Sequence, residues 1–197
     1  FVAAADSGIK SFDDIKGKRI SVGAPKSGTE LNSRAILAAA GISYKDFAKV
    51  EYLSYAESVE LMKNRQLDVT LLSSGAGVAA LRDLATSQKV VFLTIPEEIV
   101  KKIDDPAYQV GVIPANTYEG QTSDVKTVSV QNFLVTHSGV SEQTVYTMTK
   151  TMFENLDQMV AAHAAAKGIK LENAAKNPPA PLHPGAERYY KEVGVLK

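Results

Sequence analysis

Between Arg19 and Thr94 short apolar runs alternate with helix-like stretches, and that alternation constrains the fold more than anything else in the chain. "IKSFDDIKGKRISVG" reads as a turn of helix, a Gly-Lys-Arg turn and a strand from Arg19 to Val22. Leu31, Ala35, Leu37 and Ala38 then mark one face of a helix that Gly41 ends, the usual role of a glycine just past the last turn. "KVEYLSY" follows as a strand, and "AESVELMKNRQ" as a short helix with Val59, Leu61 and Met62 available for burial. "LDVTLLSS" is nearly all apolar, as a strand covered on both faces should be. "GAGVAALRDLAT" reads as a helix that starts directly after it, and "KVVFLT" as one more buried strand. Strand, helix, strand and helix in such short succession require right-handed crossovers and a mostly parallel sheet. The fold class is α/β.

After "IPEEIVKKIDDP" the texture becomes extended, with turn signals at Pro114-Ala115-Asn116 and Glu119-Gly120. The change between residues 106 and 126 is the candidate lobe boundary. One long helical pattern runs from an N-cap at Ser141 to about Ala166, and Gly168 stops it. "NPPAPLHPG" is a stiff loop, and "AERYYKEVG" a closing helix.

In parallel α/β sheets ligands sit beyond the carboxyl ends of the strands, where helices begin. Two strands here run into glycine-bearing segments: Val22 into "GAPKSGTE" and Leu72 into "SSGAGVAA". The first begins like a phosphate loop, but Thr29 and Glu30 stand where that motif needs Lys and then Ser or Thr. A nucleotide phosphate is therefore disfavoured. Free backbone N–H groups, the positive end of a helix dipole and hydroxyls from Ser27, Thr29, Ser73 and Ser74 suit a small anion such as a carboxylate. Lys26 adds attraction at the rim. The candidate set is Ser27, Gly28 and Thr29 with Ser74, Gly75 and Ala76, and Tyr55, which follows the strand at Leu53, is placed to close over the ligand. The plain alternative is that Ser27 and Glu30, at capping-box spacing, only cap their own helix, while Gly75 relieves crowding and Tyr55 belongs to the core.

Other chemistries find little purchase. His137, His163 and His183 have no second metal-type ligand at helical spacing, and His183 reads as a structural hydrogen-bonder in a stiff loop. No serine sits in a Gly-x-Ser-x-Gly elbow. Asp13-Asp14, Glu97-Glu98 and Asp104-Asp105 are adjacent, so each pair diverges rather than converging for acid–base work. Twenty-two basic and 22 acidic side chains balance, and Tyr52, Tyr55, Tyr189 and Tyr190 do not interleave with a basic patch, which argues against nucleic acid as a partner. No run of about 18 apolar residues spans a bilayer. Cysteine is absent, which excludes disulfides and thiolate metal sites. No catalytic residue, metal or cofactor is expected.

"DSGIKSFDDIKGKRISVGAPKSGTELNSRAIL" resembles the opening of the second lobe of a type II periplasmic solute-binding protein. With "EYLSYAESVELMKNRQLDV", "IPANTYEGQ", "FENLDQMVAAHAAAK" and "PLHPGAERYYKE", the chain is similar over essentially its whole length to the TAXI family, the extracytoplasmic receptors of TRAP transporters. The resemblance implies a two-lobed receptor that closes on a small carboxylate, glutamate-like or another organic acid, and delivers it to a TRAP-type permease from a periplasmic or extracytoplasmic location. It implies that residues 1–16 are an outgoing hinge, 17–112 the second lobe, and 113–197 the return to the first lobe, with Tyr118 near the hinge as a further ligand candidate. It also implies a preceding N-terminal portion with a glycine-rich ligand loop, so this chain is expected to begin partway through a longer gene product. Two other readings stay open: a ligand-free structural or antigenic surface protein, and a small-acid enzyme of the transferase or lyase type on the same fold.

Overall fold

The computed structural model describes residues 1–197, Ala164 by its backbone only. The chain divides into two compact units, Phe1–Gln131 and Asn132–Lys197. Residues 1–16 and 113–131, which the resemblance assigns to a hinge and to another lobe, both lie in the first unit.

The first unit is built on a five-stranded sheet. Its elements run β1 (Val2–Ala4), β2 (Arg19–Ser21), α1 (Gly28–Ala39), β3 (Lys49–Glu51), α2 (Tyr55–Lys63), β4 (Val69–Thr70), α3 (Ala79–Ser87), β5 (Val90–Phe92) and α4 (Glu97–Lys101). The order across the sheet is β3-β2-β4-β1-β5. β2 is parallel to β3 and to β4, with Ile20 opposite Val50 and Val69, and Ser21 opposite Thr70. β1 enters antiparallel between β4 and β5. The sheet is therefore parallel apart from one inserted strand, and the architecture is α/β. A two-stranded antiparallel ribbon of β6 (Tyr108–Ile113) and β7 (Val125–Val130) completes this unit.

Alternation along β1 separates the two faces of the sheet. Ala3 packs in a core with Ile9, Ile15, Ile20, Leu37 and Ile99, the side covered by α1 and α4. Val2 and Ala4 pack with Val59, Met62, Leu81 and Leu84, the side covered by α2 and α3. Buried hydroxyls dock the helices onto β2. Ser33 Oγ donates to the Val22 carbonyl at 2.9 Å, and Ser21 Oγ meets Ser58 Oγ at 2.7 Å. Because Ser58 Oγ donates to the Ser54 carbonyl, the Ser21 hydroxyl is the donor of that pair.

The second unit holds α5 (Glu142–Glu154), α6 (Leu156–Ala162) and α7 (Pro184–Glu192). The single helix expected from Ser141 to Ala166 is broken at Asn155, whose ψ of 29° leaves the helical region. Its side-chain amide turns back to the Thr151 carbonyl at 2.8 Å, the competition with the backbone that makes asparagine a poor interior helix residue. A Cβ on Gly185 would run into the backbone of Glu142 and Tyr146, so the glycine lets α7 lie tightly on α5. Among the described residues no helix is long and apolar enough to cross a membrane.

Candidate functional site

Parallel pairing of Ser21 with Thr70 brings the carboxyl ends of β2 and β4 side by side, so the chain leaves both strands at the same edge. The segment after β2 is compact. Gly23 has φ +98°, and a Cβ there would lie 2.6 Å from Thr29 Cγ2 and 3.0 Å from the Glu30 nitrogen. Only glycine lets the strand end come this close to the first turn of α1. Lys26 takes a positive φ of 59°, which turns the chain into the helix. Ser27 is the N-cap, its hydroxyl accepting from the Glu30 N–H at 3.2 Å.

Only half of the expected capping box is made. Glu30 turns instead to Arg34, at 2.6 Å, and to the Tyr44 hydroxyl, at 3.0 Å. The Arg34 guanidinium holds the Glu30 carboxyl below its ordinary value, and the Tyr44 hydroxyl adds to this against the opposing effect of burial. Burial, and then Glu30, push the Tyr44 hydroxyl well above its own ordinary value. The N–H groups of Gly28 and Thr29 have no acceptor among the described residues, and Thr29 is 7% exposed.

The segment after β4 is different. The helix expected to start directly at "GAGVAA" begins only at Ala79, because no side chain caps it and Gly77 breaks the path with φ +83°. Ser74, Gly75 and Ala76 are exposed, and none of them makes a hydrogen bond among the described residues. Ser73 is the anchored position. Tyr55 Oη donates to its carbonyl at 2.6 Å, and Asn32 Nδ2 donates to its Oγ at 2.7 Å. Asn32 in turn accepts from Tyr108 Oη at 2.7 Å. Farther along, the Gly77 N–H donates to Tyr118 Oη at 2.9 Å, and Tyr118 is buried with its ring stacked on Phe92.

The protons in this network can be assigned. Tyr55 spends its single O–H on the Ser73 carbonyl, so the 2.9 Å contact with Thr29 is donated by the Thr29 hydroxyl. Thr29 therefore offers an outside ligand its N–H and not its hydroxyl. Ser27 and Ser73 each accept a bond and keep their own O–H free. The donors left over are two hydroxyls and the N–H groups of Gly28 and Thr29, without an acidic side chain among them. An anion is the partner such a set accepts.

Comparison with known protein families matches residues 1–194 to the NMT1-like family. The chain belongs to the NMT1-like family. A solved structure similar to this NMT1-like chain is the periplasmic aliphatic sulphonate binding protein SsuA from Escherichia coli, at 15% identity and a TM-score of 0.48. That match covers 100% of this chain and 61% of SsuA, so the chain spans about three-fifths of that protein's length.

Sequence reasoning brought Ser27, Gly28, Thr29 and Tyr55 to one place in this NMT1-like chain, and Tyr55 joins the two segments rather than closing over an empty wall. It missed Asn32 and Tyr108. Asn32 carries a signal, since it stands three residues after Thr29 and shares its helix face. Tyr108 carries none, because 76 residues separate it from Asn32. The three histidines all serve the backbone: His137, His163 and His183 each accept through Nδ1 from the N–H two residues later.

Proposed function

We propose that this chain carries the ligand-gripping wall of an extracytoplasmic solute-binding receptor that takes up a small carboxylate and passes it to a TRAP-type membrane permease. The observation that carries this reading is the cross-linking of two strand ends through Tyr55 while the donors of Ser27, Gly28, Thr29 and Ser73 stay unspent. Binding needs no covalent chemistry. A carboxylate on the first turn of α1 is stabilised by charge-assisted hydrogen bonds and by the helix dipole. The TAXI-type motifs of the sequence favour the same ligand class and the same transporter type. Ser74, Gly75 and Ala76 form the exposed rim of this wall, available to the ligand's distal groups. An enzyme on this scaffold would need a free acid or base beside Ser27, and Glu30 is already committed to Arg34 and Tyr44.

The test is isothermal titration of glutamate, glutamine, 2-oxoglutarate and taurine into the protein expressed from its complete gene. Saturable binding of a carboxylate is the expected result. Binding of taurine alone would keep the receptor and replace the carboxylate with a sulphonate. Absence of binding by all four would overturn the reading in favour of a ligand-free surface protein.

A further inference from the structure

Asn32 is the hub of the hydrogen bonds that hold the start of the segment after β4. It stands on α1 three residues beyond Thr29, and its amide is bonded at both ends. Tyr108 Oη donates to Asn32 Oδ1 at 2.7 Å, and Asn32 Nδ2 donates to Ser73 Oγ at 2.7 Å. The same helix reaches Ser73 a second time. One hydroxyl, Tyr55 Oη, lies 2.9 Å from Thr29 Oγ1 and 2.6 Å from the Ser73 carbonyl oxygen, so Ser73 is held beside the first turn of α1.

A hydroxyl can give or accept and an amide can turn over, so these three groups have two self-consistent arrangements. In one, Tyr108 gives its proton to the amide oxygen, Ser73 accepts the amide N–H, and the Ser73 O–H is left to donate elsewhere. In the other the amide is turned round: Tyr108 accepts its N–H, Ser73 gives its proton to the amide oxygen, and Ser73 offers only lone pairs. The first is the arrangement of this structure. Tyr108 selects it, because a phenol is more acidic than an aliphatic hydroxyl and is the better donor of the two. Burial, and then Asp105, push the Tyr108 hydroxyl above its ordinary value, so its proton stays in place at neutral pH.

We propose that Asn32 is the positioning residue that sets the ligand preference of this receptor: its amide, oriented by Tyr108, fixes Ser73 as a donor, so the ligand must bring an acceptor such as an oxyanion oxygen to Ser73. This rests on the receptor reading above. Ser73 is exposed, which leaves its hydroxyl open to a ligand. Asn32 acts through that hydroxyl and carries no charge of its own. Asn32→Asp, of the same shape, would accept from both Tyr108 and Ser73 and leave Ser73 only lone pairs to offer.

The test is a double-variant cycle in the protein expressed from its complete gene, titrated with glutamate, glutamine, 2-oxoglutarate and taurine. For each probe that the parent binds, Ser73→Ala should weaken binding about tenfold, the loss of one charge-assisted hydrogen bond. Asn32→Asp should weaken it by a larger factor, since it both turns the Ser73 hydroxyl and adds a charge. In the Ser73→Ala background there is no hydroxyl to turn, and the penalty of Asn32→Asp should shrink by a factor of about ten. Tyr108→Phe frees the amide to turn over. With both orientations equally populated the competent fraction halves, and affinity should fall about twofold. An Asn32→Asp penalty of the same size with and without the Ser73 hydroxyl, or unchanged affinity in Tyr108→Phe, would overturn the proposal while the receptor reading stands. A parent protein that binds none of the four probes would remove both.

Discussion

The segments that follow β2 and β4 leave neighbouring strands at one edge of the sheet, yet they are held by opposite means. Residues 23–28 are fixed by their own sequence. Gly23 permits the close approach to Thr29, Ser27 caps the helix that follows, and the turn is complete within seven residues. Residues 71–78 have no cap of their own, and three side chains hold them from outside: Asn32, Tyr55 and Tyr118. These lie 18 to 41 residues away in the chain. The first is a turn encoded locally. The second is a tethered segment whose position depends on tertiary contacts.

The largest effect should come from breaking the locally encoded segment. Gly23→Val combines a positive φ of 98° with a clash against Thr29 and the Glu30 nitrogen. Backbone strain and overpacking together should cost about 3 kcal/mol or more, read as a lower urea midpoint. A valine tolerated there would mean that the close approach at Gly23 does not hold this turn.

Tyr55→Phe is the next largest and the sharper test. It removes one hydroxyl, and with it both the bond from Thr29 and the bond to the Ser73 carbonyl. About 1 to 2 kcal/mol of stability should be lost. Hydrogen exchange should rise across residues 72–78 and stay unchanged at 23–28. Equal loosening of both segments would show that the two are one mechanical unit and would dissolve the contrast. Ser27→Ala should cost about 1 kcal/mol, the value of a single N-cap, and fray only the first turn of α1.

This contrast also explains how far the fold and the site were legible in the sequence. Elements whose cause is local were readable: β2 with its Arg-Ile-Ser core, the Ser27 cap and the Gly41 stop. The apolar stripe of α1 was misplaced, since Leu31 and Ala38 are exposed and the buried face runs through Ser33, Ile36 and Leu37. The antiparallel entry of β1 was not readable, because the residues Val2–Ala4 carry no sign of which strands they pair with. The delayed start of α3 was misread because an apolar, small-residue run looks the same before and after a helix begins, and only the pinned Gly77 separates the two. Ser73 was recognisable as a hydroxyl source but not as the anchored residue of its segment. Its partners Asn32 and Tyr55 are assembled by the fold, and Tyr108 joins the network only through Asn32. At Ser27–Glu30 the spacing signalled a full capping box, and Arg34 and Tyr44 drew the carboxylate away.

That diverted carboxylate gives the smallest prediction, and one that separates the two segments by pH. Arg34 first, and the Tyr44 hydroxyl after it, keep the folded Glu30 carboxyl below the ordinary value of about 4.3. A depressed carboxyl contributes stability that is fully present above its unfolded value and is lost as pH falls through the folded one. The urea midpoint should therefore decline as pH is lowered below about 4.3, and Glu30→Gln should remove part of that decline while leaving the free N–H groups of Gly28 and Thr29 in place. Arg34 is 66% exposed, so solvent screening keeps the effect modest and salt should shrink it further. The segment after β4 contains no such carboxylate, and its amide exchange over the same pH range, corrected for intrinsic rates, should match between parent and Glu30→Gln. If residues 72–78 loosened with the protonation of Glu30, the tether through Tyr55 would transmit strain from the first segment to the second, and the two would be mechanically coupled rather than separately held.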